Sequence, residues 1–455
     1  MTQDKNPKSK MEGHGHASQN EDYMFMKAVI KEPPRKKRRI LLKILGILVS
    51  GVAVGVIAAL TFVHVLPYIQ PEEDLPKVEF PDDDYIDSEH IDSDSQNANA
   101  SNSTDNEQNS EPGKNPPNPS KDDGEMDCPE QLTLDGFRQV YEEIVEVAEQ
   151  SEKAMVIVQG ITREVDWMNN SYENKTQVSG VLVAEDSINY YVLTEYRVVE
   201  QVERIMVTFS NESIALAKFV KHDPGTGLAV LKISKNDVSE KTKGEIAVAV
   251  LGSSWTIKRG ETVIAIGSPT GYSGSIAYGM VTSTNNVKAT TDTQYHLLTT
   301  DILGDSEGSG VLISLDGEIV GVMVQSFSME KNQNVLTAIP ISEVKKVIEN
   351  LINNEDLIYL GIVGQNITED LSENTDIPVG VYVNAVEEDS PAMSAGIQNG
   401  DVIVGIADET IETLQQLKAN LNKYEKGNKI TVNALRRGAA DRYVQIVFDV
   451  TVGAL

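Results

Sequence analysis

TVIAIGSPTGYSGSIAYGMVTS, residues 262–283, sets two β-type runs, Thr262 to Ile266 and Ile276 to Ser283, on either side of a segment rich in Gly, Ser, Pro and Thr. Runs of aliphatic and β-branched residues bounded by turn formers read as strands. The same punctuation repeats in both directions. Met155 to Gly160, Gly180 to Val183, Tyr190 to Thr194, Ile205 to Phe209 and Ala229 to Ile233 lie upstream, and His296 to Thr300, Gly310 to Ile313 and Ile319 to Val324 lie downstream. No helical period interrupts them, which describes a β-barrel or sandwich pair and excludes an alternating α/β sheet.

Helices flank this block. Phe137, Val140, Tyr141, Ile144, Val147 and Ala148 recur at helical spacing ahead of it, and Ile341 to Leu351 begins a closing helix after Pro340. The last hundred residues read as a separate α+β unit. Upstream of all this lie two segments of different character. Arg35-Lys36-Lys37-Arg38-Arg39 precedes an apolar run from Ile44 to Val65 that has no Asp, Glu, Lys or Arg, long enough for the roughly 20 residues a bilayer demands. Basic residues before the run and Glu72, Glu73 and Asp74 after it predict a single-pass span with a cytoplasmic N-terminus. The stretch that follows is dense in Asp, Asn, Ser and Pro. It has too little apolar surface to offset the entropy of ordering and is expected to be a disordered acidic spacer.

Composition narrows the function classes. The chain of 455 residues carries 39 Lys+Arg against 69 Asp+Glu, a net charge of -30, so nucleic acid is excluded as a partner for want of a basic face. Cys128 is the single cysteine, which rules out internal disulfides and Cys-rich metal sites. No metal and no cofactor is implied. The six histidines can be weighed one at a time.

Ser179-Gly180-Val181-Leu182, Ala265-Ile266-Gly267-Ser268-Pro269, Gly279-Met280-Val281, Thr299-Thr300-Asp301, Gly317-Glu318-Ile319-Val320-Gly321 and Ala338-Ile339-Pro340 occur in the order and spacing of the trypsin-like protease domain of the HtrA/Deg family. Tyr359-Leu360-Gly361-Ile362, Ser390-Pro391-Ala392, Ala395-Gly396-Ile397 and Gly400-Asp401-Val402-Ile403 look like the PDZ domain that follows it there. The resemblance implies a mostly β fold: a double β-barrel, then a PDZ domain, preceded by one transmembrane helix and the linker. The expected boundaries are a cytoplasmic tail over 1–43, the span over 44–66, the linker over 67–127, the protease-like domain over 128–353 and the PDZ domain over 356–455. It resembles the membrane-anchored Gram-positive members.

The chemistry departs from the family. Where its His follows a strand, this chain has Arg197 after Leu193-Thr194-Glu195-Tyr196, and Gly227 stands at the position of its Asp. Guanidinium has no acceptor lone pair, and glycine has no side chain to orient an imidazole. The nucleophile segment reads Gly304-Asp305-Ser306-Glu307-Gly308-Ser309-Gly310-Val311-Leu312. Counting back from Leu312 places Gly308 at the serine position or, with one deletion, Ser309, and counting forward from Gly304 gives Ser306; Ser309 is preferred. His14, His16, His64 and His90 fall before the folded block, His222 beside Asp223 precedes the strand that would carry the Asp, and His296 reads as an ordinary strand residue. Arg197, shielded between two barrels, needs a partner. Asp305 and Glu307 supply carboxylates, and a guanidinium nitrogen is expected about 2.7–3.2 Å from one of them.

Binding capacity is expected in the PDZ-like unit. Its carboxylate-receiving loop would be Tyr359, Leu360, Gly361 and Ile362, and its groove helix Ile411 to Leu421, with Leu414 and Leu417 on the groove; the alternative is that these leucines face only the core. The expected function is therefore an extracytoplasmic, membrane-anchored pseudoprotease that binds peptides or unfolded protein segments, with homo-oligomers possible. An active HtrA-type serine endopeptidase of envelope protein quality control and a purely structural envelope component are the alternatives.

Overall fold

Each of the ten runs named above forms a strand, because aliphatic residues alternate between two apolar environments. In β7 (Thr262–Ser268), Val263 and Ala265 fill the interior of a barrel while Ile264 and Ile266 face a second cluster outside it. The computed structural model describes residues 77–81, 133–165, 171–328, 334–438 and 442–455. The expected membrane span and cytoplasmic tail lie outside them. Among the described residues no helix is long and apolar enough to cross a membrane.

The first barrel is antiparallel and closed, in the order β1-β2-β3-β6-β5-β4, from β1 (Met155–Val165), β2 (Ser171–Glu185), β3 (Asn189–Glu195), β4 (Arg204–Phe209), β5 (Ile214–His222) and β6 (Leu228–Ser234). The second closes as β10-β11-β12-β9-β8-β7, with β8 (Ser275–Thr290), β9 (Thr293–Leu303), β10 (Ser309–Ile313), β11 (Ile319–Met323) and β12 (Val335–Pro340). Leu193, Leu228, Ile266 and Val311 join one cluster between them. Two strands escaped the sequence reading. β5 turns Ile214, Leu216 and Phe219 outward and only small Ala215 and Ala217 inward, which inverts the usual pattern. β12 ends on Pro340, which signals the helix that follows.

Thr133 caps α1 (Leu134–Glu152) by accepting the Gly136 N–H at 3.1 Å. Its expected apolar stripe exists, but only Ala148 is fully buried, and Phe137, Val140 and Tyr141 are about half exposed. After the short α2 (Glu240–Glu245), α3 (Ile341–Ile352) buries Ile341, Val344, Ile348 and Leu351 against the barrels. Five residues of the expected linker are also seated here: Val78 N–H donates to Asn353 Oδ1 at 3.0 Å, Asn353 Nδ2 returns a bond to the Val78 carbonyl at 2.8 Å, and Lys77 pairs with Glu355 at 2.6 Å. Val78 and Phe80 bring apolar surface of their own, so over 77–81 the spacer is a docked strap.

The C-terminal unit pairs β13 (Ile358–Tyr359) with β20 (Gly453–Ala454) beside a sheet ordered β14-β15-β16-β18-β19, from β14 (Ile362–Ile367), β15 (Gly380–Val386), β16 (Val402–Ile406), β18 (Lys429–Arg437) and β19 (Tyr443–Thr451), with β17 (Glu409–Thr410) on β16. α4 (Glu369–Thr375), α5 (Pro391–Ala395) and α6 (Leu414–Leu421) complete it. α6 starts three residues later than expected because Thr413 caps it, accepting the Gln416 N–H.

Candidate functional site

A cleft of about 540 Å³ opens between the barrels, lined by Glu195, Tyr196, Arg197, Gly227, Ser306 and Glu307 among others and by no histidine. β3 ends at Glu195, and a single 3₁₀ turn, Tyr196–Val198, swings Arg197 into the opening. The loop opposite, Asp223 to Gly227, is a tight turn held by the buried Asp223 carboxylate, which accepts from Gly225 N–H (3.1 Å), Thr226 N–H (3.1 Å) and Thr226 Oγ1 (2.7 Å). Gly227, at φ +73°, then accepts the Tyr196 N–H at 2.8 Å. The two positions singled out in the sequence, Arg197 and Gly227, are thus brought together.

Arg197 is held from both sides. Its Nε donates to Glu195 Oε2 at 2.6 Å, its Nη1 to Glu307 Oε2, and its Nη2 to the Glu307 carbonyl at 3.2 Å. The expected partner from the serine loop is Glu307; Asp305 instead accepts the Glu307 N–H at 2.8 Å and shapes the loop from within. Glu195 was not anticipated. Burial works against the Arg197 charge, yet the two carboxylates outweigh it and hold the guanidinium above its ordinary pKa. Burial likewise pushes the Glu195 carboxyl up, against the pull of Arg197, and its Oε1 has no hydrogen-bond partner among the described residues.

The two candidate serines separate. Ser309 opens β10 and is buried between the barrels, its Oγ accepting the Ser179 N–H at 2.9 Å, while Ser179 Oγ and Ser268 Oγ share a bond of 2.6 Å. The Ser309 hydroxyl ties the barrels together, and of the two candidates it is Ser306 that lines the cleft. Gly308, the position that the backward count gives without a deletion, also lines the cleft. Around Ser306 the backbone is already committed. Gly304 N–H donates to Asn334 O (2.9 Å), Asp305 N–H to Pro269 O (3.0 Å) and Gly308 N–H to Asp305 O (2.9 Å). An oxyanion hole needs such donors free and convergent.

Among the described residues no histidine compensates. His222 lies flat on Tyr196, ring centroids 3.7 Å apart and 6° from parallel, and burial lowers its pKa against the pull of Asp223 and Glu200. His296 Nδ1 sits 2.7 Å from Glu343 Oε1, on α3. The other four lie outside the described residues.

In the C-terminal unit, Leu360, Ile362, Leu414 and Leu417 are fully buried in one core, and Tyr359 is half-buried beside Gly453. The backbone of the same loop does form an anion nest, and it is filled. Asp292, between β8 and β9, accepts from Leu360 N–H (2.5 Å), Gly361 N–H (3.0 Å) and Ile362 N–H (2.9 Å). Nothing in Thr290-Thr291-Asp292-Thr293 beyond its turn composition marks this role.

Comparison with known proteins agrees with both units. A trypsin-like peptidase domain model matches residues 178–322 and a PDZ domain model residues 323–446. Serine protease Do-like HtrB of Bacillus subtilis (strain 168) is 33% identical over 279 residues, covering 57% of this chain and 59% of its own. A probable periplasmic serine endoprotease DegP-like from Pseudomonas savastanoi pv. phaseolicola is 32% identical over 289 residues, covering 62% of this chain and 57% of its own. The match thus spans less than two thirds of either relative. The solved structure of HtrA-type protease AlgW with decapeptide shares the fold, with a TM-score of 0.51 and 21% identity over 69% of this chain and 98% of that one.

Proposed function

Because the chain belongs to the HtrA family, a trypsin-like domain followed by a PDZ domain, we propose that it is a pseudoprotease: a membrane-anchored, extracytoplasmic protein that holds polypeptide through its PDZ domain and does not cleave it. The observation that carries this reading is the Arg197 clamp. A serine hydroxyl becomes nucleophilic only beside a group that can take its proton. Guanidinium stays protonated and offers no lone pair, and here Glu195 and Glu307 stabilise its charged form further. Gly227 supplies no carboxylate to orient a base, and the amides flanking Ser306 are bonded elsewhere. Loss of one triad member leaves only background acceleration, and effects within a triad are not additive.

Support for the anchor comes from the uncharged run Ile44 to Val65 with its basic and acidic flanks. The periplasmic designation of the Pseudomonas relative agrees with an extracytoplasmic placement of the folded domains. The test is turnover of casein and of a fluorogenic peptide by the purified full-length protein beside its Ser306→Ala variant. Equal, background rates are expected; Ser306-dependent cleavage returns the protein to the working endopeptidases.

A further inference from the structure

The nest at Leu360 to Ile362 has a ligand from the same chain. Asp292 occupies the tip of the β8–β9 hairpin at φ +58°, a left-handed conformation that Asp tolerates better than most residues. It is completely buried, and three backbone N–H groups converge on its carboxylate. The main chain follows suit: Asp292 N–H donates to Ile362 O at 2.7 Å, and Thr291 bridges Val363 in antiparallel register. β14 is the edge strand of its sheet. The tip therefore meets that edge as the end of an added strand does, with a side-chain carboxylate where such strands present a terminal one. Lys418 of α6, bonded to the Ile358 carbonyl at 2.9 Å, adds positive potential to the nest. Gly361 lets the loop close on the anion, since a Cβ there would meet Ser390 Cβ at 2.3 Å.

We propose that Asp292 is the resident ligand of this nest, and that a polypeptide with a free C-terminal carboxylate binds only by displacing the β8–β9 tip. The inference rests on the peptide-binding reading of the PDZ domain and adds the competitor. Three amides cannot serve two carboxylates at once, and an edge strand cannot pair with two segments over the same residues. The apparent affinity for an external peptide is then the intrinsic affinity reduced by the fraction of molecules whose nest is open.

Asp292→Asn removes the charge and keeps a residue suited to the left-handed position; Asp292→Gly removes the side chain at no conformational cost. Fluorescence anisotropy of the full-length protein is followed with a labelled octapeptide pool randomised over its last four residues and ending in a free carboxylate, and with the same pool amidated. Both variants are expected to bind the carboxylate pool about tenfold or more tighter than the unmodified protein, with the amidated pool unaffected. Equal affinity across the three proteins overturns the resident-ligand assignment and leaves peptide binding standing. If none binds either pool, the peptide-binding reading fails, and hydrogen exchange decides the assignment separately: faster exchange at Leu360, Gly361 and Ile362 in Asp292→Gly supports it, and unchanged exchange overturns it.

Discussion

Replacing Arg197 by Met keeps the length and apolar stem of the side chain and removes the charge that joins the two barrels across the cleft. The two arms of the clamp are unequal. Glu195 is only 24% exposed and bonded at 2.6 Å, whereas Glu307 is 69% exposed. A hydrogen bond to a charged group stabilises by about 1.5–3 kcal/mol, discounted here to about 1–2 kcal/mol because Arg197 is itself partly solvated. The Glu307 arm is worth below about 1 kcal/mol. Arg197→Met should therefore cost about 2 kcal/mol in urea unfolding at neutral pH. The cost should depend on pH in a definite sense. Without Arg197 the buried Glu195 carboxyl rises further above its ordinary value, and a group whose folded pKa is raised contributes stability that is present below the ordinary pKa and lost as pH rises through the folded one. The variant should thus approach the parent protein near pH 4.5 and fall behind it toward pH 7. Double-mutant cycles separate the arms: Glu195→Gln with Arg197→Met should couple by about 1–2 kcal/mol, and Glu307→Gln with Arg197→Met by less than about 1 kcal/mol, the latter vanishing in 1 M salt. A larger coupling to Glu307 than to Glu195, or a pH-independent cost, refutes this account of the clamp.

Ser309→Ala leaves the buried Ser179 N–H without an acceptor and should cost about 1–3 kcal/mol by thermal unfolding, while Ser306→Ala on the cleft loop should stay within about 0.5 kcal/mol. Gly361→Ala must push Ser390 aside at φ +96°, so it should lower the melting temperature of the PDZ unit and abolish capture of carboxylate-ended peptides together. Burial, helped by its bond to Asp186, pushes Tyr191 up to about 12, and burial raises Tyr295 well above its ordinary value. Tyr191 favours the folded state below about pH 10 and loses that contribution as pH climbs to about 12, and Tyr295 acts in the same direction, so the urea midpoint should drop across this window, less steeply in Tyr191→Phe.

How much of this was legible depended on how local the signal was. The ten strands were readable because a two-residue period and a turn former are properties of neighbours. β5 was not, since its large side chains face solvent and its barrel face is built from alanine, a choice made by the curvature of the closed sheet. The Arg197–Glu307 pair was foreseeable from charge alone: a shielded cation and two anions in the loop opposite leave few arrangements. Its stronger half, Glu195, closes β3 two residues before Arg197, and the 3₁₀ turn that begins at Tyr196, which strand periodicity does not supply, sets the two heads at bonding distance. Ser306 and Ser309 differ by three residues, and what divides them is the start of β10, which no count of motif positions supplies. Asp292 lies furthest from view. Its partners are about 70 residues away, and nothing about an Asp in a hairpin turn announces a loop in another domain.

The central claim is that no group in the cleft activates Ser306. A fluorophosphonate probe reacts with activated serines irrespective of substrate preference, and mass spectrometry of the labelled full-length protein locates any adduct. The account predicts no adduct at Ser306 in the unmodified protein, with labelling indistinguishable from that of Ser306→Ala. An adduct on Ser306, absent from Ser306→Ala, contradicts it.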